Sequence, residues 1–336
     1  MLTIVHGSDL HFGKPHAPRI GEHFLRAAHR LDPDIVVLSG DFTQRAKVTE
    51  FQAARDFLAR LPDLPLVVTP GNHDVPLYRV VERILSPFRN YRTYIREDLN
   101  EVVRIPGLTV VSLNSAAPRT AIVNGRIRRA QVEFAREAFR SAPGGDVKAV
   151  VAHHHLAPAP DYEGDRPLPR GREILDDFEG MGVELVLGGH LHRAYIGNSL
   201  DVYPGKDREH GIVILQSGTT TSRRGRAREQ AKNTFNVVRV VPGRLEITHY
   251  MYFSDAGRFA PFSVHAFPRA PNQWFEMEGR HGEVDLSSGR GDSDGSGGQG
   301  SGPGPEGRIT SPEHEGRTMA PEHEGHAMAP DREDVP

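Results

Sequence analysis

Five short blocks place Asp, Asn and His directly after apolar runs: Asp9-Leu10-His11, Gly40-Asp41, Gly71-Asn72-His73-Asp74, His153-His154-His155 and Gly188-Gly189-His190-Leu191-His192. All their metal-capable atoms are nitrogen or oxygen. Such donors suit Mn, Fe, Zn, Co or Ni and disfavour a soft-metal site. They are too many for one ion, but two ions sharing a bridging carboxylate can use them all. A pair of ions about 3.5–4 Å apart is a common device for hydrolysing phosphate esters. The ions hold the phosphoryl oxygens and lower the pKa of a bridging water, whose hydroxide attacks phosphorus in line with the leaving oxygen. A neighbouring His protonates the leaving group or stabilises charge in the transition state.

The elements that must position these blocks are visible as apolar runs. Runs at 2–5, 35–38, 66–68, 147–152 and 183–187 each precede one block, and further runs lie at 108–113, 211–215, 235–241 and 245–250. Helix-like periodicity falls at 20–30, 48–60, 77–86 and 129–141. Apolar strands alternating with helices predict a largely parallel, buried sheet. The closely spaced last strands predict antiparallel pairing. In open α/β sheets, ligands bind beyond the carboxyl ends of the strands, which is where all five blocks fall. Gly40, Gly71, Gly188 and Gly189 are expected to allow tight turns there. Successive strand side chains alternate, so His153, His154 and His155 cannot all face one site. His190 and His192, two apart, face the same side of an extended backbone.

Composition bounds the rest. The 336 residues suggest about two domains. There is no cysteine, which excludes a disulfide scaffold, a thiolate zinc site and a cysteine nucleophile. No apolar run approaches the ~20 residues of a membrane span, and the N-terminus does not read as a signal peptide, so a cytoplasmic protein with no membrane partner is expected. The net charge of −3 conceals an asymmetry: residues 281–336 hold 4 Lys or Arg and 12 Asp or Glu, a local −8, leaving +5 on residues 1–280. A +5 balance suits an anionic substrate and does not point to nucleic acid. Residues 281–336, with 12 Gly, no Phe, Tyr or Trp and a nine-residue repeat (PEHEGRTMA, PEHEGHAMA), are expected to be a disordered acidic tail. Residues 253–280, with Trp274, are expected to pack as an extension on a catalytic domain of residues 1–252.

The five blocks, in this order, resemble the calcineurin-like metallophosphoesterases over about residues 1–250. Within that family the sequence is most similar to the class III cyclic-nucleotide phosphodiesterases, through the strand and His cluster of residues 149–158 (AVVAHHHLAP). The resemblance implies an α/β fold, a two-sheet β-sandwich flanked by helices in four layers, α/β/β/α. It implies that Asp9, His11 and His192 bind a first metal, that Asp41 bridges, and that Asn72, His153 and His190 bind a second. His73 would contact substrate or act as the acid, with Asp74 orienting it; Asn72 and His192 would also face substrate. The family pattern has Pro directly after the His cluster, whereas Leu156-Ala157-Pro158 follow here, which leaves His154 as the alternative to His153. The cofactors implied are two divalent or trivalent ions of the Mn, Fe or Zn class. The implied reaction is hydrolysis of a small phosphoester by a metal-bridging hydroxide, with cyclic nucleotides or similar small diesters preferred. A nuclease, or a phosphoprotein or phospholipid phosphatase, is the alternative within the family. A metal-free binding scaffold would have damaged ligand positions, whereas every block here is intact.

Each block alone has a simpler reading. Asp9-x-His11 can be a turn and cap, Gly40-Asp41 a turn, and Asn72-His73 a polar loop. His6, His16, His23 and His29 lack such support and are expected to be structural or at the surface. The loop 219–232 carries Arg223 and Arg224, whose forks suit phosphate, though a solvated basic loop serves equally. The stretch 157–172 is a candidate rim over the site, and 198–210 reads as a hairpin loop.

Overall fold

The apolar runs are strands because both of their faces are buried. In β1 (Leu2–Gly7) and β2 (Ile35–Leu38), Ile4, Ile35 and Val37 point into the core between two sheets. Val5, Val36 and Leu38 point the other way, toward the helices. Alternation with an apolar layer on each side explains why β2 carries no polar residue and why Thr3 and His6 of β1 are buried. The computed structural model describes residues 1–269 except 121–122, 160–165, 205–210 and 227–228. Trp274 and the acidic tail lie outside the described residues.

The chain continues through β3 (Leu66–Val68), β4 (Glu101–Ile105), β5 (Leu108–Ser112), β6 (Val147–Val151), β7 (Leu185–Gly188), β8 (Tyr195–Asn198), β9 (Val213–Gln216), β10 (Thr234–Val241), β11 (Arg244–Phe253) and β12 (Arg258–Pro268). One six-stranded sheet has the order β12-β11-β10-β1-β2-β3; the other has β4-β5-β6-β7-β9-β8. The first is parallel from β1 to β3 and antiparallel from β1 to β12. The second is parallel through β5, β6, β7 and β9, with antiparallel edges β4 and β8. The 211–215 run therefore pairs parallel with β7 as well as antiparallel with β8.

Helices cover both outer faces. The first face packs α1 (Pro18–Leu31) and α2 (Val48–Leu58) through Phe24, Leu25, Phe51 and Phe57. Pro in the first turn starts α1, and Asp32 in a left-handed conformation ends it. After β3 come α3 (Val80–Leu85) and α4 (Arg89–Tyr94). The second outer face packs α5 (Arg129–Arg140) and α6 (Gly171–Gly180) through Val132, Ala135, Phe139, Ile174 and Phe178. A short α7 (Ser199–Val202) follows β8, where 198–210 read as loop. The layers are helix, sheet, sheet, helix, as the resemblance implies. The extension expected at 253–280 contributes β12, an edge strand whose Pro261 sits beside a register shift between His249 and Tyr250. Pro cannot donate to a ladder, so within sheets it is confined to edges and irregularities such as this one.

Candidate metal centre

All five blocks leave their strands at one edge of the sandwich, and their side chains converge. Asp9, His11, Asp41 and His192 offer atoms that all lie within 4.8 Å of one another, and all four residues are buried. His11 Nε2 is 2.9 Å from His192 Nε2, and Asp9 Oδ1 is 3.1 Å from the latter and 3.4 Å from the former. Asp9 Oδ1 is buried without a hydrogen-bond partner, while Oδ2 accepts from the His190 N–H. A second group adjoins the first through Asp41. Its Oδ2 lies 3.6 Å from His11 Nε2 and 3.3 Å from His153 Nε2. Asn72 Oδ1 lies 3.2 Å from His153 Nε2 and 3.0 Å from His190 Nδ1. Lone-pair atoms aimed at common points, among them a buried carboxylate oxygen with nothing to accept from, are a donor set that suits cations.

The His cluster divides its duties. His153 Nδ1 lies 2.7 Å from the Ser39 carbonyl, which can only accept, so Nδ1 carries a proton and Nε2 is the nitrogen turned toward Asp41 and Asn72. His154 is anchored elsewhere through one nitrogen: its Nδ1 lies 2.8 Å from Ser115 Oγ. Its Nε2 is buried without a partner, and His153, His154 and His190 also lie within 4.8 Å as a triad. His154 touches neither Asp41 nor Asn72, the contacts His153 makes. His155 stacks on His190 with ring centroids 5.9 Å apart.

His73 and Asp74 sit in a single 3-10 turn, Asn72–Asp74. His73 Nδ1 donates to the Gln44 carbonyl at 2.9 Å, which leaves Nε2 for proton transfer, and its backbone N–H donates to Asp41 Oδ1 at 2.8 Å. Asp74 does not touch the His73 ring. Its carboxylate accepts from the backbone N–H groups of Gly71, Phe42 and Thr43 and from the Thr43 hydroxyl. It therefore pins the loops of Asp41 and His73 together, a coarser kind of orientation than the resemblance implies.

Two expectations about the backbone change. His190 and His192 are not on extended chain: φ is +73° and +54°. Asp9, His11 and Asp41 are also at positive φ, so among the described residues five of the nine non-glycine positions with positive φ belong to the candidate site. Asp tolerates this region through local hydrogen bonds, but each such residue still costs about 1 kcal/mol. The glycines serve mainly close approach rather than turning. Only Gly40, at φ +99°, needs the left-handed region; a Cβ at Gly189 would lie 1.9 Å from Ser8 Oγ, and one at Gly188 2.5 Å from Gln216 Nε2.

Charge and burial set the protonation of the metal-free centre. Burial raises the carboxyls of Asp9 and Asp41, yet the facing histidines, His192 for Asp9 and His153 for Asp41, hold both well below the usual carboxylate range. Burial pushes His11 down to about 4. Burial also opposes charge on His153, but the Asp41 carboxylate outweighs it and raises this imidazole to about 9. Burial, followed by the Asp41 charge, pushes Asp74 up to about 7 against its backbone donors. At neutral pH, a cation entering between His153 and Asp41 must displace the His153 proton. Its apparent affinity is expected to fall about tenfold per pH unit below 9, with about one proton released on binding at pH 7. Calorimetric titration in buffers of different ionisation heat checks this; metal binding that releases no proton contradicts it. The raised pKa also stabilises the metal-free fold below the ordinary value of 6.5, and this contribution is lost as pH rises through about 9.

Of the two arginines, Arg224 reaches the site and Arg223 does not. Arg224 Nη1 donates to Gln44 Oε1 at 3.1 Å, and burial lowers its pKa while the Asp41 and Asp9 charges raise it. Arg223 is exposed and lines a different cleft, with Arg19, Lys232 and Tyr252. Arg45, which sequence reasoning passed over, stacks over the Tyr78 ring at 4.9 Å beside Gln44. His6, His16, His23 and His29 are absent from both metal-capable groups among the described residues.

The comparisons with known proteins agree with this geometry. The chain is 27% identical over 222 residues to a probable cyclic nucleotide phosphodiesterase of a Synechococcus species, covering 61% of this chain and 79% of that protein. It is 23% identical over 188 residues to a probable glycerophosphodiester phosphodiesterase of Arcobacter nitrofigilis, covering 54% of this chain and 66% of that protein. The solved structure of a purple acid phosphatase from yellow lupin seeds superposes with a TM-score of 0.61 at 15% identity. That match covers 81% of this chain but only 54% of the lupin enzyme, so it speaks for the fold. Residues 2–194, which contain both candidate groups, match the family described as calcineurin-like phosphoesterase, and the chain belongs to that family of metal-dependent phosphoester hydrolases.

Proposed function

We propose that the protein is a dinuclear phosphodiesterase acting on cyclic nucleotides or similar small diesters. The observation that carries this is Asp41, whose Oδ2 stands between His11 Nε2 and His153 Nε2 and so belongs to both donor groups. Asp9, His11 and His192 complete one site with Asp41; Asn72, His153 and His190 complete the other. The donors suit ions of the Mn, Fe or Zn class. Such a pair, when bound, supplies charge neutralisation at the phosphoryl oxygens and an activated water.

The chain's own groups do the rest. Ser39 fixes the His153 ring, and Asp74 ties the His73 loop to the Asp41 loop. His73, held through Nδ1, is left with Nε2 to contact the substrate or to donate a proton to the departing alkoxide. Arg224, half-buried beside Gln44, offers a guanidinium fork to a phosphoryl oxygen. The Synechococcus and Arcobacter relatives carry phosphodiesterase names, which supports diesters over monoesters.

The test is hydrolysis of bis-p-nitrophenyl phosphate by chelator-stripped protein, alone and with Mn²⁺, followed by a cyclic nucleotide. Turnover is expected only after metal is restored, and faster with diester than with p-nitrophenyl phosphate. A monoester preference reassigns the protein to the phosphatases of the family. Silence with Mn²⁺, Fe²⁺, Co²⁺ and Zn²⁺ on all three substrates overturns the reading.

A further inference from the structure

Helix α3 differs from the other α-helices among the described residues, each of which buries at least one residue. None of its six residues is buried. Helices in proteins gain most of their stability from packing an apolar face, yet here that face is in solvent. Tyr78 is 69% exposed, Val81 72% and Leu85 73%, with Val80 and Ile84 each half exposed. Val123, on the loop tied to α3, is exposed as well. What holds the helix is a set of arginine bonds to carbonyl oxygens. Arg79 donates to Arg45 and Ala46, Arg83 to Leu77, and Arg119 to Ile84. Exposed apolar residues scattered singly are ordinary, but a contiguous patch marks an interaction surface.

The charge beside this patch says what the partner is. A cleft of about 510 Å³ opens next to α3 and is lined by Arg89, Arg92, Arg119, Arg126 and Arg128, with no carboxylate among its described lining residues. None of the five pairs with a described Asp or Glu. The patch and the cleft meet at Arg119, which lines the cleft and bonds the α3 backbone. They also flank the candidate metal centre: Tyr78 stacks on Arg45 next to Gln44, and Ser115, one residue before the cleft-lining Ala116, holds His154.

We infer that α3 and the arginine cleft form a docking face for an anionic phospholipid surface. Apolar side chains interspersed with arginines are the chemistry of an interfacial segment: the apolar groups enter the acyl boundary and the cations meet the headgroup phosphates. A second copy across a twofold axis sets five arginines against five, which like-charge repulsion opposes. A nucleic acid satisfies the arginines but leaves Val81 and Leu85 in water. Docking by this face turns the metal-centre rim at Arg45 and Tyr78 toward the lipid.

The experiment is sedimentation of the full chain with phosphatidylglycerol-containing vesicles and with pure phosphatidylcholine vesicles. The protein is expected in the pellet only with the anionic vesicles, and to leave them as salt is raised. Val81→Asp with Leu85→Asp is expected to abolish binding. These side chains are exposed, so folding and hydrolysis of soluble bis-p-nitrophenyl phosphate are expected to persist. Arg89→Glu and Arg126→Glu are each expected to lower the partition about fivefold or more. Equal recovery in the supernatant with both vesicle types overturns the inference. So does a concentration-dependent dimer, by sedimentation velocity, that Val81→Asp dissolves, which assigns the face to a second copy. Vesicle binding is read without turnover, so its failure is separable from failure of the proposed reaction.

Discussion

Asp41→Asn is expected to lower diester turnover by about three orders of magnitude or more, a loss of about 4 kcal/mol of transition-state stabilisation. Asn keeps the oxygen that accepts from the His73 N–H, so the loop geometry survives. What is lost is the negative charge at Oδ2, the atom that faces His11 on one side and His153 on the other. With that charge gone, the largest attraction that raises the His153 pKa also disappears, so burial pulls this imidazole down in the metal-free variant. The measurement pairs kcat at saturating Mn²⁺ with metal content and Tm. A folded variant within tenfold of the parent removes Asp41 from the centre of the mechanism.

Gly71→Ala is expected to damage the enzyme nearly as much while removing no donor. An added Cβ would lie 2.1 Å from Asp41 Oδ1 and 2.5 Å from the Asp41 backbone nitrogen. Gly71 has φ −100°, so alanine suits the backbone and the conflict is purely one of space. The Asp41 loop must move, and with it the shared oxygen. Disturbing the groups that orient metal ligands typically costs 10–100-fold in affinity or activity, and a loss of about 100-fold in metal affinity is expected here. Gly144→Ala is the control, because a Cβ there meets nothing within 4 Å. If the two variants bind metal equally well, the close approach at Gly71 has no functional weight.

The donor residues of the site are legible because each block is a short contiguous string following a strand, and strands buried on both faces announce themselves as unbroken apolar runs. The choice between His153 and His154 is not legible in the same way. Alternation shows that adjacent histidines diverge, but only the structure turns one toward Asp41 and the other toward Ser115. Arg223 and Arg224 part for a similar reason, on an irregular loop with no period. The left-handed backbone of His190 and His192 is not legible in the sequence, because positive φ stays uncommon even for the Asn, Asp and His residues enriched there. Helix α6 was missed because it opens and closes on glycine, at Gly171 and Gly180. Strand β12 was hidden by its prolines, which suit an edge but weaken the pattern of a strand.

The closeness of His11 and His192 has a mechanical meaning for the whole fold. The two rings come from positions 181 residues apart, one beyond a strand of the first sheet and one beyond a strand of the second. A cation held between them is a cross-link that closes a very long loop, in a chain that has no cysteine with which to make one covalently. Loop-closure entropy grows with the length spanned, and a covalent tie over about 100 residues is worth nearly 5 kcal/mol in the chain-entropy model. If the proposed cation sits there, chelation is expected to remove a clasp joining the two sheets at this edge and to lower the temperature at which the sandwich comes apart.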